Sequence, residues 1–505
     1  MQFQVLDILP NLATSNTVYL INDNWDDWFE FGTLYILHYY DSNNVRHHIG
    51  QIKIGQFNMV EKQRRAAIPP TFEVLMDAFF SVGQDTSYYS HLNNLDDEIG
   101  NEILRALRDF AFDLELFERA QKERVTRISL LRDVSSQEVR GQFHRIAHGG
   151  AIRTPYDFQF FPPKPRNSDL HMELSFNVEP TSNPPTNVHV LIGRNGVGKT
   201  HLLSNMLNAL FSSERTTKHG VFVSDEEILF ANVVSVSFSA FDESEPRMDQ
   251  KDRTKGLKYS YIGLKKVKVN DEKDSLPKSP TVLKNEFVKS LENCKLGNRK
   301  ERWINAVTTL ESDPMFKESE ILQLIEIEDK QQFKDEASEI FKKLSSGHKI
   351  VLLTITRLVE TVEEKTLVML DEPESHLHPP LLAAFIRSLS ELLVLRNGVA
   401  IIATHSPVIL QEVPKSCTWI LSRSNISAKA ERPERETFGE NVGVLTHEVF
   451  GLEVSNSGFY NLIQKSVDRN EDYESVKSSF GNQLGSEAKA LASVKMHLKQ
   501  NRNLS

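Results

Sequence analysis

The chain has few cysteines and no long apolar run, and each shortage excludes a class of protein. Its 505 residues include two cysteines, Cys294 and Cys417, and no CxxC pair, so we expect neither a disulfide framework nor a cysteine-bound zinc site. No apolar run is long enough to cross a bilayer, and the first residues lack the basic flank and apolar core of an export signal. We therefore expect a cytoplasmic protein that makes no contact with membranes.

Positive charge is outnumbered by negative charge, with 59 Lys and Arg against 69 Asp and Glu. The formal net charge of −10 argues against a protein that coats nucleic acid nonspecifically, because such binding needs a basic face. One local stretch departs from this composition, since Tyr259 and Tyr261 lie among the basic residues Lys251, Arg253, Lys255, Lys258, Lys265, Lys266 and Lys268. Such a mixture suits pairing with a nucleic-acid backbone and stacking on bases, but a solvated surface hairpin is the preferred interpretation. The sequence leaves both interpretations open.

Two patterns common in DNA-processing proteins are missing. Residues 241–343 contain no sustained heptad series, so we do not expect long coiled-coil arms. Residues 406–505 contain no pair of aspartates in D-x-D spacing, which metal-dependent cleavage domains of the Toprim type need. We therefore do not expect this chain to cut nucleic acid itself.

A glycine-rich turn is the first positive feature. Residues 188–192 form an apolar run that predicts a buried strand, and the spacing of leucine and methionine after residue 201 predicts a helix. Glycine at three positions of the turn lets backbone N–H groups surround phosphates, and the helix N-terminus adds partial positive charge. The predicted nucleotide-binding residues are Gly193, Arg194, Asn195, Gly196, Val197, Gly198, Lys199 and Thr200. Lys199 supplies a cation for the β- and γ-phosphates, and the Thr200 hydroxyl is placed to bind Mg²⁺.

A second apolar run ends in two acids. Residues 366–370 predict a buried parallel strand, and Asp371 and Glu372 follow at its carboxyl end, where such sheets place their ligands. Asp371 is the expected acceptor for the water shell of Mg²⁺. Glu372 can polarise the attacking water and is therefore the predicted catalytic base. The two motifs together predict a protein that binds and hydrolyses a nucleoside triphosphate with Mg²⁺.

Two further segments resemble motifs of the ABC-type ATPases. Leu344-Ser345-Ser346-Gly347-His348 resembles their LSGGQ signature, with Ser346 in place of glycine and His348 in place of glutamine. The apolar run 399–403 leads to His405, which resembles their switch histidine. The resemblance covers about residues 170–421. It implies that His405 contacts the γ-phosphate, and that Ser345, Ser346 and Gly347 act in trans on the nucleotide of a second copy. ATP would then hold together a homodimer or a higher even-numbered oligomer.

The segment after Glu372 indicates a branch of that superfamily. Residues 371–379 read DEPESHLHP and resemble the form found in the overcoming-lysogenization-defect, RecF and SMC-like branch. His376 and His378 near Glu374 could suggest a metal site, but no cysteine accompanies them and the family places a dimer-contact loop here, so a metal is not expected.

Among stand-alone members of this branch, the chain most resembles the PtuA ATPases of the Septu anti-phage systems, which also occur beside some retrons. That resemblance implies an HNH-type nuclease as the partner. In the retron version a reverse transcriptase and its RNA–DNA product are added.

The resemblance implies an α/β fold: a P-loop ABC-type ATPase core with a mixed sheet flanked by helices, a helical lid insertion, and a β-plus-helical N-terminal region. We expect six segments: a β-rich part at 1–60, a helical part at 61–165, the P-loop lobe at 166–240, the lid at 241–343, the signature, acidic strand and switch histidine at 344–425, and an interaction region at 426–505.

Three local features are predicted with this fold. A hairpin joins residues 32–40 to 48–54. One helix face runs through Ile99, Ile103, Leu107, Phe110, Leu114 and Phe117. Asp242 stands near the position where the family has its Q-loop glutamine.

Three functions fit these observations. The preferred one is an ABC-type ATPase that regulates a partner nuclease in bacterial anti-phage defence. The second is a DNA repair or chromosome-maintenance ATPase that acts directly on DNA. The third is a scaffold that binds ATP with little turnover, motivated by the two departures in the signature.

Overall fold

The computed structural model describes most of the chain. The described residues are 1–10, 12–23, 31–59, 63–95, 97–149, 153–163, 172–212, 218–224, 230–238, 246–250, 257–267, 276–295, 299–424, 427–456, 458–470 and 472–502. The expected substitute for the Q-loop glutamine, Asp242, lies outside them. Within these ranges no helix is both long and apolar enough to span a membrane.

The N-terminal region is built on a six-stranded mixed sheet. Its strands are β1 (Gln2–Leu6), β2 (Thr17–Asn22), β3 (Leu34–Tyr40), β4 (Arg46–Gln56), β5 (Thr71–Phe72) and β6 (Phe79–Gly83). The order across the sheet is β5-β1-β2-β3-β4-β6, and β1 and β2 are its parallel pair. Strands β3 and β4 pair antiparallel, which confirms the predicted hairpin. The Asp41 carboxylate holds the turn by accepting hydrogen bonds from the N–H groups of Asn43 and Val45, both at 2.9 Å.

Short helices cover this sheet and share one apolar core with it. They are α1 (Thr86–Asn93), α2 (Asp97–Ala106), α3 (Leu114–Ala120), α4 (Ser136–Glu138) and α5 (His144–Ala147), with π-helical turns at Thr126–Leu130 and Val139–Phe143.

The predicted continuous helix face from Ile99 to Phe117 is wrong, because the structure divides it into α2 and α3. Between them Arg108 adopts a left-handed backbone with φ 52°. The buried Asp109 carboxylate then accepts from the N–H groups of Ala111 (2.8 Å) and Phe112 (3.1 Å). This turn pairs with the edge of β6, a long-range contact that helical periodicity cannot reveal.

The ATPase core is a seven-stranded sheet. Its strands are β9 (Val188–Gly193), β11 (Asn232–Ser237), β12 (Lys258–Gly263), β13 (Thr366–Asp371), β14 (Val399–Thr404), β15 (Thr418–Ser424) and β16 (Ser427–Glu431). The order is β12-β11-β13-β14-β9-β15-β16, and all pairs are parallel except β15 with β16. Both faces are covered, and the inner strands are continuous apolar runs, as expected for a buried parallel sheet. The strands predicted at 188–192, 366–370 and 399–403 are confirmed.

A second, three-stranded antiparallel sheet joins this core. It consists of β7 (Tyr156–Phe161), β8 (Leu174–Val178) and β10 (Val221–Val223), in the order β10-β7-β8. Strand β7 lies before residue 165 and pairs with β8 after it. The six-segment division stays a prediction, and this pairing favours a start of the P-loop lobe at β7 rather than at residue 166.

The helices of the ATPase half lie between and after these strands. They are α6 (Lys199–Phe211), α7 (Pro280–Cys294), α8 (Arg299–Leu310), α9 (Pro314–Glu318), α10 (Lys330–Lys343), α11 (Ser346–Thr361), α12 (Pro379–Leu395) and α13 (Pro407–Leu410), with 3₁₀ turns at Ile321–Glu326 and Lys415–Cys417. Helices α7 to α10, in the predicted lid, contribute side chains to the same apolar core as α11 and α12. The described part of this segment therefore packs onto the ATPase core as short helices.

The basic stretch with interleaved tyrosines takes part in the sheet. Tyr259 and Tyr261 lie on the edge strand β12 and are 2% and 7% exposed, so neither ring is available to stack on a base. The stacking interpretation is therefore wrong for this part. The backbone of Tyr259 pairs antiparallel with Gln250, which fits the hairpin interpretation. Lys251, Arg253, Lys255 and Lys268 lie outside the described residues.

The N-terminal region docks at the amino ends of the core strands. The buried Glu364 carboxylate, just before β13, accepts from the N–H of Gln142 at 2.9 Å and from Arg145 at 3.1 Å. Arg299 pairs with Asp133 at 2.8 Å beside it. These polar contacts lie at the edge of the sheet opposite the carboxyl ends of the strands. The N-terminal region therefore leaves the carboxyl edge accessible.

After β16 the described residues form four helices. They are α14 (Val442–Asn456), α15 (Gly458–Arg469), α16 (Tyr473–Ser479) and α17 (Ser486–Arg502). The last three share a small core of their own around Ile463, Val476 and Met496.

Gly193 gives a first prediction. A Cβ at this position would lie 2.4 Å from the carbonyl oxygen of Leu421 on the neighbouring strand β15. We expect Gly193→Ala to lower the free energy of unfolding by about 1–3 kcal/mol, because backbone on both strands must shift. Thermal or denaturant unfolding measures this. Gly485→Ala is the matched control, since a Cβ there meets nothing within 4 Å. Equal unfolding midpoints for the two variants would contradict the close approach.

Candidate nucleotide-binding site

Three strand ends meet at the carboxyl edge of the seven-stranded sheet. Strand β9 ends at Gly193, β13 at Asp371 and β14 at Thr404. In the register of these parallel strands, Thr404 lies opposite Ile192 and Asp371 lies opposite Ala403. The glycine-rich turn, the two acids and His405 therefore emerge side by side, although they are far apart in the sequence.

The glycine-rich turn forms an open loop above strand β9. Gly196 and Gly198 have φ values of 81° and 100°, and a Cβ at either position would meet nothing within 4 Å. Glycine is thus required here by the backbone conformation and not by packing. Arg194 and Val197 are half-buried, Val197 against the apolar core, while Asn195 and Gly196 are exposed. The turn presents its backbone to an anion.

Helix α6 begins at Lys199, directly after the loop. No side chain caps its N-terminus at Gly198, so the first N–H groups of this 13-residue helix and its partial positive charge face the loop. The buried Lys199 ammonium donates to the carbonyl oxygens of Gly193 (3.0 Å) and Arg194 (3.2 Å). Burial lowers the pKa of Lys199, and the carboxylates of Glu372, Glu374 and Asp371 oppose that shift. A triphosphate would supply the anionic partners that this desolvated ammonium otherwise finds in carbonyl groups.

The acids of the β13 end form the opposite wall. Glu372 has a left-handed backbone with φ 46°, and its N–H donates to the carbonyl oxygen of Ala403 at 2.9 Å. The side chain leaves the sheet toward His405, whose Nδ1 lies 3.7 Å from its Oε1. Both side chains are partly exposed, with 32% and 45% of their surface accessible. They can therefore meet a water molecule or a phosphate at the edge of the sheet.

Glu374 holds His405 in place. Its Oε1 accepts from the Thr404 hydroxyl at 2.6 Å and from the His405 backbone N–H at 2.8 Å, and it lies 3.2 Å from Nδ1 of the same ring. Its Oε2 is buried and accepts no hydrogen bond within the described part of the chain. The sequence suggested Glu374 only as a weak metal ligand. The contact of Glu374 with His405 arises because β13 and β14 are neighbours in the sheet, which the sequence does not show.

A cavity of about 250 Å³ lies beside the loop and is lined by Thr200, Asp371 and Ser237 among others. Thr200 follows Lys199 on α6, and Asp371 ends β13, so their oxygens share one space at the edge of the sheet. A hydroxyl and a carboxylate are the ligand types that Mg²⁺ takes in nucleotide sites. Thr200 and Asp371 therefore fit a Mg²⁺ ion beside the loop.

The signature segment begins helix α11. Ser345 is an exposed residue that caps the helix, and its hydroxyl lies 2.6 Å from Nδ1 of His348, while Ser346 is exposed beside it. Gly347 is buried, and a Cβ there would lie 2.7 Å from the carbonyl oxygen of His376. Among the described residues the Ser345 hydroxyl makes hydrogen bonds with His348 and with no group of the P-loop. The structure thus brings together the loop, the acids and His405, but not Ser345.

One group of side chains has the spacing of a metal site. Ligand atoms of Asp313, His348 and His378 lie within 4.8 Å of one another. Nδ1 of His378, however, accepts the N–H of Leu381 at 3.3 Å, so the ring proton sits on Nε2, which faces the Asp313 carboxylate at 3.4 Å. A metal would need the Nε2 lone pair. This group is therefore a hydrogen-bonded cluster. The exposed His376 does not belong to it.

The strand order, the doubly covered sheet and the motifs at its edge define a P-loop ATPase fold of the ABC type, which confirms the predicted fold class. Residues 227–411 match a family model described as "AAA domain, putative AbiEii toxin, Type IV TA system". Protein ea59 of Escherichia phage lambda is 41% identical over 504 residues, with 94% of each chain covered. The chain therefore belongs to the family of protein ea59.

Several solved structures are similar to part of the chain. MJ1267, an ATP-binding cassette of an ABC transporter in its ADP conformation, is 14% identical and has a TM-score of 0.30, with 60% of this chain and 98% of that one covered. CbiO1 from Clostridium perfringens, part of an ABC transporter complex, is 16% identical with a TM-score of 0.30, over 60% and 95%. UvrA2 from Deinococcus radiodurans is 15% identical with a TM-score of 0.25, over 53% and 37%.

Proposed function

We propose that the protein hydrolyses ATP in a homodimer, each copy contributing the P-loop and acids for one nucleotide and its signature for the other. The observation that carries this proposal is the meeting of Lys199, Asp371, Glu372 and His405 at one sheet edge while Ser345 lies exposed and outside that group. A second copy facing head to tail would bring Ser345 to the phosphates.

In the proposed hydrolysis, each group of residues has its own role. The loop from Gly193 to Gly198 and the ammonium of Lys199 bind and orient the triphosphate. Thr200 and Asp371 would hold Mg²⁺, which supplies positive charge to the phosphate oxygens. Glu372 accepts a proton from the attacking water, and His405, oriented by Glu374, donates a hydrogen bond toward the γ-phosphate. Ser345 and the backbone of Ser346 and Gly347 close the site from the partner copy.

We further propose that the dimer regulates a separate nuclease. Residues 406–505 carry no D-x-D pair of the kind that Toprim cleavage needs, and the proposal therefore assigns cleavage to a separate protein. The related protein ea59 is a phage protein, and the likeness to the defence ATPase PtuA, with an HNH nuclease or a retron reverse transcriptase and its RNA–DNA product as partners, stays a prediction.

Direct action on DNA is the alternative, and the buried Tyr259 and Tyr261 remove one feature that favoured it.

A dimerisation experiment tests the proposal. In the Glu372→Gln background, where hydrolysis is blocked, light scattering with ATP and Mg²⁺ should show a mass doubling. Adding Ser345→Ala should weaken this dimer by at least about 100-fold, since each of two symmetric phosphate contacts is a charge-assisted hydrogen bond of about 1.5–3 kcal/mol. Ser312→Ala, an exposed serine on the loop before α9, is the matched control. A dimer unaffected by Ser345→Ala would refute the trans site.

The second half of the proposal needs its own measurement. The purified chain should leave plasmid DNA and RNA intact with Mg²⁺ or Mn²⁺. Its ATP hydrolysis should not be stimulated by DNA alone. Cleavage by the chain itself would refute nuclease regulation, and DNA-stimulated hydrolysis without a partner would favour the DNA-directed alternative.

A further inference from the structure

A buried chain of hydrogen bonds leads from the lid segment to the signature. Asp313, 5% exposed, precedes α9, and its Oδ1 lies 3.0 Å from Nε2 of His348. On the other side of that ring, Nδ1 lies 2.6 Å from the hydroxyl oxygen of Ser345. The imidazole is itself buried, at 5% exposure, against the ring of Phe316. It therefore links a buried carboxylate to the hydroxyl of an exposed serine.

The same carboxylate reaches a second element of the site. Its Oδ2 lies 3.4 Å from Nε2 of His378, in the loop that follows Asp371 and Glu372. That loop also packs directly on the signature, since a Cβ on Gly347 would lie 2.7 Å from the carbonyl oxygen of His376. Asp313 thus ties the start of α11 to the loop after β13 within one copy.

We propose that Asp313 is a positioning residue that acts through His348 to hold the Ser345 hydroxyl in the orientation needed to contact the nucleotide of the partner copy. This inference rests on the proposed function, because the contact of Ser345 with the nucleotide of the partner copy is part of that proposal. It also explains the departure from glutamine at the last signature position. The two ring nitrogens of His348 lie within hydrogen-bonding distance of Asp313 and of Ser345 Oγ at once, so the ring fixes the position of the hydroxyl at the start of α11.

Asp313 also caps helix α9, and this role must be distinguished from its contact with His348. As the N-cap of α9, its Oδ1 accepts the N–H of Met315 at 2.9 Å. Serine caps helices about as well as aspartate, but its hydroxyl is too short to reach His348. Asp313→Ser therefore keeps the cap and breaks the link. Asp313→Asn keeps an acceptor oxygen at the same place and serves as the conservative variant.

The measurement is ATP-dependent dimerisation in the Glu372→Gln background, together with KM and kcat for ATP in the otherwise native chain. We expect Asp313→Ser to weaken the dimer roughly 10- to 100-fold, the worth of one charge-assisted hydrogen bond. The KM of Asp313→Ser for ATP should rise, while its kcat at saturating protein and ATP should stay within about twofold of that of the unmodified chain. Asp313→Asn should retain most of the affinity, and the thermal midpoints of the two variants should agree.

A double variant decides whether the effect passes through Ser345. If Asp313 acts by this route, Asp313→Ser combined with Ser345→Ala dimerises no worse than Ser345→Ala alone. Additive losses, or wild-type dimerisation by Asp313→Ser, would overturn the inference. If Asp313→Ser lowers the thermal midpoint, His348→Asn is used instead, because it removes the ring that links Asp313 to Ser345. It then replaces Asp313→Ser in the comparison with the double variant. A failure of Ser345→Ala itself to weaken the dimer would instead count against the proposed function.

Discussion

Replacing Glu372 by glutamine should abolish turnover while ATP binding persists. Glutamine has nearly the same shape and can adopt the same left-handed backbone at φ 46°, but its amide cannot accept the proton of the attacking water. General-base catalysis typically contributes 10²- to 10⁴-fold, so we expect ATP hydrolysis to fall by about that factor. Phosphate release measures turnover, and equilibrium binding of labelled ATP measures retention.

The control for this variant is Glu318→Gln, an exposed carboxylate in the short helix α9. Its turnover should equal that of the unmodified chain. A Glu372→Gln protein that still hydrolyses ATP at the original rate would show that another group activates the water. Glu374 would not be the first alternative, because its Oε1 is already engaged by Thr404 and by the backbone of His405.

The second large effect is expected for Lys199→Ala, which should lose the nucleotide itself. Lys199 is buried, and its ammonium is hydrogen-bonded to the carbonyl groups of Gly193 and Arg194, so it is already placed at the floor of the loop. Its contacts with two phosphates would be charge-assisted hydrogen bonds worth about 1.5–3 kcal/mol each. We expect the Kd for ATP to rise at least about 100-fold.

Lys266→Ala is the matched control, since Lys266 is exposed after the edge strand β12. The thermal midpoint of Lys199→Ala without nucleotide should stay close to that of the unmodified chain or rise, because the substitution removes a desolvated charge. ATP should raise the midpoint of the unmodified chain and of Lys266→Ala but not of Lys199→Ala. An equal ATP-induced shift in Lys199→Ala would refute the assignment of this loop.

Several features were predictable because their signals are local. The strand, the glycine turn and the helix around Lys199 are contiguous. Apolar runs of five residues correctly placed the strand that ends at Asp371 and the strand that precedes His405. The helix face through Ile99 and Phe117 failed because Arg108 and Asp109 form a turn that pairs with β6. Apolar periodicity records which residues are buried, and buried residues in a turn can mimic a helical repeat.

By itself, then, the amino-acid sequence determined the chemistry of the site: a phosphate-binding turn, a strand ending in two acids, a histidine after another strand and a serine capping a helix. Only the tertiary structure decided which of these groups meet. It placed Glu374 beside His405, buried Tyr259 and Tyr261 on an edge strand, and joined Asp313 to Ser345 through His348. The physical reason is that these contacts depend on strand order and helix packing, which arise from burial summed over the whole core.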